Sequence, residues 1–187
     1  MKKTPLNIII TGGPGTGKTS VVRELKRRGY LCFEEKAREV IKEELLAGTN
    51  HVPWQDLASF SEKVFHKIVC DLKRSRLNEP NFFDRGIPDI LAYLKNANLP
   101  IADFYYDEIK KGHYHQEVFI TPPWPGIYAT DNERRESFEG CIALHHSLID
   151  VYRELGFTVV ELPLVSIDKR IEIIEGYLNK ISQKFYV

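Results

Sequence analysis

Eight residues near the start of the chain have the types and the spacing of a phosphate-binding loop. They match the pattern G-x-x-x-x-G-K-[ST] at every specified position and read Gly12-Gly13-Pro14-Gly15-Thr16-Gly17-Lys18-Thr19. Glycines let successive backbone N–H groups converge on phosphate oxygens, and a helix that starts here adds the positive end of its dipole. The lysine reaches the outer phosphates, and the Thr19 hydroxyl is a ligand type for Mg²⁺. This segment, together with Ser20, therefore predicts a site for ATP or GTP with Mg²⁺.

A glycine-rich turn that binds nothing is the alternative for this segment. The neighbouring residues favour the binding loop. The continuous apolar run Leu6–Thr11 precedes it, which is typical of a strand buried on both faces of a parallel sheet. The helical pattern Lys18–Arg28 follows it, so the loop lies between a buried strand and a helix start.

A second candidate lies where another apolar run ends, at Phe82-Phe83-Asp84-Arg85-Gly86. A strand that ends in aspartate brings a carboxylate to the carboxyl edge of a parallel sheet, where Asp84 can hold a metal or its water shell. Hydrolytic P-loop motors usually have a glutamate next, to activate water, but this chain has Arg85, which suits a phosphoryl group or an anionic substrate. The pair favours phosphoryl transfer over hydrolysis. Asp84 as a helix cap with Arg85 as its surface partner is the alternative.

Acidic residues also follow the predicted second strand, at Glu34 and Glu35. A carboxylate at this edge could accept a proton from an attacking hydroxyl. Acidic residues in a first helical turn also complement the helix dipole, which is the competing interpretation.

A proline-rich stretch, Pro122–Gly126, ends regular structure and starts a predicted lid over about residues 122–136. If the lid folds over the nucleotide, Arg134 or Arg135 can neutralise charge on the transferred phosphoryl group. A solvated, charged helix start is the alternative. Further on, the turn Pro163–Arg170 could offer backbone groups to a purine edge, although capping alone explains Ser166.

Apolar periodicity predicts the elements that position these residues. Strands are predicted at Leu6–Thr11, Tyr30–Phe33, Asn81–Asp84, Glu117–Thr121 and Phe157–Leu162. Helical patterns cover Lys18–Arg28, Glu35–Leu46, Trp54–Arg76, Ile87–Lys95, Asp103–Lys110, Arg134–Leu155 and Ile167–Ile181. Strands separated by helices predict parallel pairing with right-handed crossovers, hence a doubly wound α/β fold in one domain, residues 1–187.

Composition limits the function classes. The 187 residues carry 26 basic and 26 acidic side chains, so net charge gives no support for nucleic-acid binding. Fifteen of the basic residues but only nine of the acidic ones lie in residues 1–76, where we expect the anionic ligand. No apolar stretch approaches the roughly 20 residues that span a bilayer, so we expect no integral membrane association. Three widely spaced cysteines indicate a reducing cytoplasm.

Taken in this order, the motifs resemble those of a known group. They are the phosphate loop, the Glu-x-Ala-Arg start of the second helix, the Asp-Arg-Gly strand end, the arginine-bearing lid and the last turn, Val-Ser-x-x-x-Arg. The group is the P-loop family that joins the kinase domain of NadR (nicotinamide riboside kinase) with the TRP-translocation-defect protein, often called AAA-domain ATPases. The resemblance implies five parallel strands in the order 2-3-1-4-5, helices on both faces, Mg²⁺ with ATP or GTP in the loop, and a small substrate beneath the lid.

The same resemblance implies roles for individual residues. Gly12, Gly17, Lys18 and Thr19 match the loop, and Glu35 and Arg38 match the Glu-x-Ala-Arg motif beside the acceptor. Asp84 and Arg85 match the Asp-Arg pair, Arg134 or Arg135 matches a lid arginine, and Arg170 matches the adenine-side turn.

Two functions follow as hypotheses. In the first, the protein is a kinase that transfers the γ-phosphate to a nucleoside or nucleotide-like acceptor, with Lys18 and a lid arginine on the γ-phosphate and Glu35 or Asp84 as base. In the second, it is a regulatory switch that hydrolyses ATP or GTP and acts through a protein or lipid partner. The identity of the acceptor, the choice of ATP or GTP and the oligomeric state stay open.

Overall fold

A computed structural model describes residues 5–127 and 137–185, with side chains as far as residue 181. The strands in these ranges are β1 (Leu6–Thr11), β2 (Leu31–Phe33), β3 (Pro80–Asp84), β4 (Glu117–Ile120) and β5 (Thr158–Glu161). The helices are α1 (Lys18–Arg27), α2 (Lys36–Ala47), α3 (Leu57–Leu72), α4 (Ile87–Asn96), α5 (Asp103–Lys110), α6 (Phe138–Glu154) and α7 (Ile167–Phe185).

The five strands form one parallel sheet in the order β2-β3-β1-β4-β5, which confirms the predicted fold class and strand order. In the register, Ile10 pairs with Asp84, and Thr11 pairs with Ile120. The carboxyl ends of the three central strands therefore meet at one edge, where a parallel sheet presents its functional loops.

Helices cover both faces of the sheet because the central strands are apolar on both faces. Along β1, Ile9 belongs to the core packed under α4 and α6, whereas Ile8 and Ile10 belong to the core packed under α1 and α7. This alternation is the two-residue period of a strand, and it explains the continuous apolar run. Over the described ranges, none of the helices combines the length and the apolar character needed to cross a bilayer.

Two helices are shorter than their apolar patterns. The pattern over Trp54–Arg76 predicts more than α3 contains, because the Asp56 side chain accepts a hydrogen bond from the Ser59 N–H (3.0 Å) and caps the helix. The prediction of one continuous helix over Arg134–Leu155 is also wrong at Ser137. Ser137 lies in an extended conformation and its hydroxyl accepts from the Gly140 N–H (3.1 Å), so α6 starts at Phe138.

The phosphate-binding loop lies very close to the end of β4 at Gly12. Its φ is +140°, and a Cβ there would collide with the Thr121 hydroxyl and lie 2.6 Å from the Thr121 carbonyl oxygen. Gly12→Ala should lower the free energy of unfolding by about 2 to 5 kcal/mol, from strain and overpacking together. Gly29 also has a positive φ (+94°) but faces open space, so Gly29→Ala should cost only about 1 to 2 kcal/mol. Urea denaturation measures both, and equal losses would contradict the close approach.

Candidate functional site

Hydrogen bonds of the Thr16 hydroxyl hold the loop between β1 and α1 against the end of the sheet. The Thr16 hydroxyl donates to the Gly13 carbonyl oxygen (2.8 Å) and lies 2.7 Å from the Thr121 hydroxyl, beyond the end of β4. Gly17, with φ +89°, precedes the first residue of α1. The helix N-terminus and the loop therefore face the same side of the sheet, which is the arrangement that binds phosphate in other proteins.

A cavity of about 560 Å³ opens above this loop. It extends from the loop to the carboxyl ends of β2 and β3 and is bounded by α2, α3, α4 and the segments after β4 and β5. The predicted site residues that line it are Pro14, Gly15, Thr16, Gly17, Lys18, Thr19, Ser20, Glu35, Arg38, Asp84, Arg85 and Arg170.

Two predicted loop residues do not line the cavity. Gly12 packs against Thr121, and a Cβ on Gly13 would lie 2.7 Å from the Cys141 sulfur of α6. They are glycines because the loop backbone needs this space, and their predicted part in nucleotide binding stays a prediction. Arg134 and Arg135 lie outside the described residues.

Lys18 is a buried ammonium in this cavity, with 5% of the residue exposed. Burial lowers the pKa of Lys18, and the positive charge of Arg85 lowers it further, while Asp84 and Glu35 act in the opposite direction. A polyphosphate beside this ammonium would supply further negative charge and favour its protonated form.

Asp84 ends β3 at the base of the cavity. Burial raises the pKa of its carboxyl to about 6, against the opposing charge of Lys18. Its Oδ1 is buried and has no hydrogen-bond partner among the described residues. Since a carboxylate and a hydroxyl are oxygen ligands that Mg²⁺ accepts, Asp84 and Thr19, which line the same cavity, fit this ion.

An ion-paired carboxylate faces the loop from the end of β2. Arg85 Nε donates to Glu35 Oε1 at 2.6 Å, and Arg38 Nε lies 3.4 Å from Glu35 Oε2. Burial alone would raise the pKa of Glu35, but Arg85, Lys18 and the Arg85 hydrogen bond together lower it to about 2. Glu35 is therefore a carboxylate at every pH at which the protein would work.

Arg85 itself is held in an uncommon conformation. Its φ is +75°, in the left-handed region that side chains other than glycine rarely adopt. Its Nη1 donates to Asp89 Oδ1 at 3.2 Å, and its guanidinium lies 5.3 Å from the centre of the Tyr93 ring. The interpretation of Arg85 as a surface partner of a capping aspartate is wrong, since 10% of its side chain is exposed.

Asp89 was not predicted as a site residue. It is 2% exposed and accepts hydrogen bonds from four groups: the Thr11 hydroxyl, Arg85 Nη1, the Gly86 N–H and the Tyr152 hydroxyl. A sequence signal exists, because Asp89 lies three residues after Gly86, the spacing at which an acidic side chain caps a helix. Nothing in the sequence indicates Tyr152.

Arg170 joins the loop to the start of α7. It lies in the first turn of α7 and is fully buried. Its Nε donates to the Pro163 carbonyl oxygen (2.9 Å), its Nη1 donates to the Thr16 carbonyl oxygen (3.4 Å), and its guanidinium lies 5.2 Å from the Trp124 ring centre. Arg170 thus braces the phosphate loop, a contact that the sequence did not predict.

The sequence model of the family described as "AAA domain" matches residues 7–170. The chain belongs to this AAA domain family. The comparisons also confirm the resemblance to NadR, because NadR is among the similar solved structures.

One relative of this AAA domain protein is the adenylate kinase isoenzyme 6 homolog of Dictyostelium discoideum. It is 25% identical, and the match covers 74% of this chain and 91% of the relative.

Solved structures show that the fold is shared. Deoxyadenosine kinase from M. mycoides, solved with the products dCMP and dCDP, has a TM-score of 0.67 and 17% identity, covering 94% of this AAA domain chain and 100% of the kinase. NadR in complex with NAD and AMP-PNP has a TM-score of 0.62 and 21% identity, covering 92% of this chain and 49% of NadR.

Asp84→Asn should stabilise the protein in the absence of metal and nucleotide. The folded pKa of Asp84 is about 6 against an ordinary 3.8, so the folded state loses stability as pH rises through this interval, and asparagine avoids that loss. We expect a gain of roughly 1 to 3 kcal/mol at pH 7.5 that disappears near pH 4, measured by urea denaturation. Asp107→Asn, at an exposed surface pair, is the control. Equal or lower stability of Asp84→Asn at pH 7.5 would contradict the assigned pKa.

Proposed function

We propose that the protein is a small-molecule kinase that transfers the γ-phosphate of ATP or GTP to a hydroxyl group of the acceptor. The observation that carries the proposal is the Arg85–Glu35 pair in the cavity that also contains Lys18 of the phosphate loop. A fixed carboxylate beside a phosphate loop can orient the hydroxyl group of an acceptor and accept its proton. The relatives agree with the proposal, since two are named as nucleoside or nucleotide kinases and a further NadR structure is a complex with NR.

The reaction needs positioning more than strong acid–base chemistry. The acceptor oxygen bonds to the γ-phosphorus as the bond to the leaving nucleoside diphosphate breaks, and charge spreads over the phosphoryl oxygens. Lys18 binds those oxygens. A carboxylate with a pKa of about 2 is a weak base, so Glu35 first orients the hydroxyl and takes its proton only as the new bond makes it acidic. Of the two candidate bases, Glu35 therefore suits this role, and Asp84 suits the metal.

Asp84 and Thr19 would hold Mg²⁺. When bound, the ion neutralises charge on the phosphate oxygens and fixes their orientation. Asp84 must be ionised to bind it, so affinity for the ion should fall below pH 6 as the carboxyl takes up a proton.

The charges around the acceptor side favour a neutral acceptor. Lys36, Arg38 and Arg85 line this side, and each is already paired with a carboxylate of Glu35, Asp71 or Asp89. The remaining wall is apolar, with Ile41, Phe60, Val64 and Ile90 among its residues. A phosphorylated acceptor would have to compete for paired cations, so we expect nucleosides to be better acceptors than their monophosphates.

The three cysteines are free thiols, which agrees with a cytoplasmic location.

An acceptor screen tests the kinase proposal. Nucleosides, including nicotinamide riboside, are each paired with their 5′-monophosphate and assayed with Mg²⁺ and ATP or GTP, with nucleoside diphosphate release as readout. At least one nucleoside should raise turnover about 10-fold or more above the acceptor-free rate, as positioning of the acceptor implies. Lys18→Ala should remove about 100-fold or more of that rate, whereas Lys26→Ala, on the exposed end of the same helix, should not.

Two other outcomes have distinct meanings. Stimulation by monophosphates alone would overturn the neutral acceptor but leave the kinase. No stimulation by any acceptor, while Mg²⁺ and nucleotide raise the melting temperature, would overturn the kinase and favour the regulatory switch.

A further inference from the structure

Asp89 is a buried carboxylate to which the proposed reaction gives no role of its own. Its Oδ1 accepts from the Thr11 hydroxyl (2.5 Å) and from Arg85 Nη1 (3.2 Å), and its Oδ2 accepts from the Gly86 N–H (2.8 Å) and from the Tyr152 hydroxyl (2.6 Å). The donors come from the end of β1, the Asp-Arg-Gly turn and α6. One side chain therefore ties together three parts of the fold at the edge of the sheet.

Two of these contacts restrict the conformation of Arg85. The Gly86 contact fixes the turn in which Arg85 has its positive φ, and the Nη1 contact fixes one arm of the guanidinium fork. The Nε–H is then directed at Glu35 Oε1, 2.6 Å away. A planar guanidinium that is held at one nitrogen presents its other nitrogens in a set direction.

The structure assigns Asp89 as a positioning residue: it fixes the orientation of Arg85, which in turn holds Glu35 toward the acceptor. This inference rests on the proposed kinase function. Tyr152 and Thr11 hold Asp89 in turn. Burial and the charge of Asp89 raise the pKa of Tyr152 well above its usual range, so its hydroxyl remains a donor. Hydrogen bonds connect Tyr152 to Asp89, Asp89 to Arg85, and Arg85 to Glu35. The packing of α6 therefore influences the position of the Glu35 carboxylate.

A double-mutant cycle tests this assignment. Asp89→Asn keeps the shape but replaces an acceptor oxygen with an N–H donor, and it should lower kcat for the acceptor about 10- to 100-fold. The affinity for Mg²⁺ and an ATP analogue should stay within about twofold, because the hydrogen-bond donors to Asp89 among the described residues lie outside Gly12–Thr19. In an Arg85→Ala background, Asp89→Asn should cause little further loss, since both substitutions remove the same alignment.

Two further variants guard the result. Tyr152→Phe removes one donor to Asp89 without altering charge, and should lower kcat several-fold in the wild type but not in Arg85→Ala. Asp103→Asn removes an exposed acid from the first turn of α5 and should leave kcat unchanged. The assignment would be overturned if the kcat losses of Asp89→Asn and Arg85→Ala multiplied in the double variant. Equal kcat values for Asp89→Asn and Asp103→Asn would also overturn it.

A spectroscopic readout separates this inference from the proposed function. The Arg85 Nε–H resonance in ¹H–¹⁵N spectra should be protected from exchange in the wild type and lose that protection in Asp89→Asn. Unchanged protection would overturn the positioning role whether or not the protein is a kinase. A protein without any acceptor-dependent turnover, but with the expected loss of protection, would overturn the proposed function alone.

Discussion

A buried guanidinium must be paired, and the rest of the site follows from how Arg85 meets this requirement. Only 10% of its side chain is exposed, so leaving its charge without carboxylates would be costly. Glu35 from the end of β2 and Asp89 from the first turn of α4 satisfy it from two sides. These two ion pairs bring one acid to the acceptor side of the cavity and leave Asp84, beside them, with a buried carboxylate oxygen that has no partner among the described residues.

The sheet makes this arrangement possible. Because β3 lies between β1 and β2, the Asp-Arg-Gly turn emerges between the phosphate loop and Glu35. In the proposed reaction opposite charges divide the work, with Lys18 acting on the phosphate and Glu35 on the hydroxyl. The pKa shifts of Glu35 and Asp84 are opposed because Arg85 donates a hydrogen bond to Glu35, whereas burial dominates at Asp84.

The sequence predicted the fold and twelve of the residues that line the cavity, because both depend on local signals. The apolar runs predict the strands, and the complete glycine-rich motif predicts the loop. Once the strands are parallel, the residues just after each strand must lie at the same edge of the sheet. Contacts between distant residues were not predictable in this way. Tyr152 and Asp89 are 63 residues apart, and Arg170 reaches Thr16 from the other end of the chain. The start of α6 was wrong because apolar periodicity does not reveal a cap such as Ser137. The single-domain boundary and the roles of the lid arginines stay predictions.

The central claim is that the fixed Glu35 carboxylate directs the γ-phosphoryl group to a hydroxyl acceptor instead of water. Its most direct measurement is ³¹P NMR of the reaction products with nucleoside triphosphate, Mg²⁺ and an excess of nucleosides. We predict that most of the γ-phosphorus appears as a phosphomonoester, and that Glu35→Gln shifts the remaining turnover toward inorganic phosphate. Inorganic phosphate as the sole product of the wild type, at a rate that the nucleosides do not change, would contradict it.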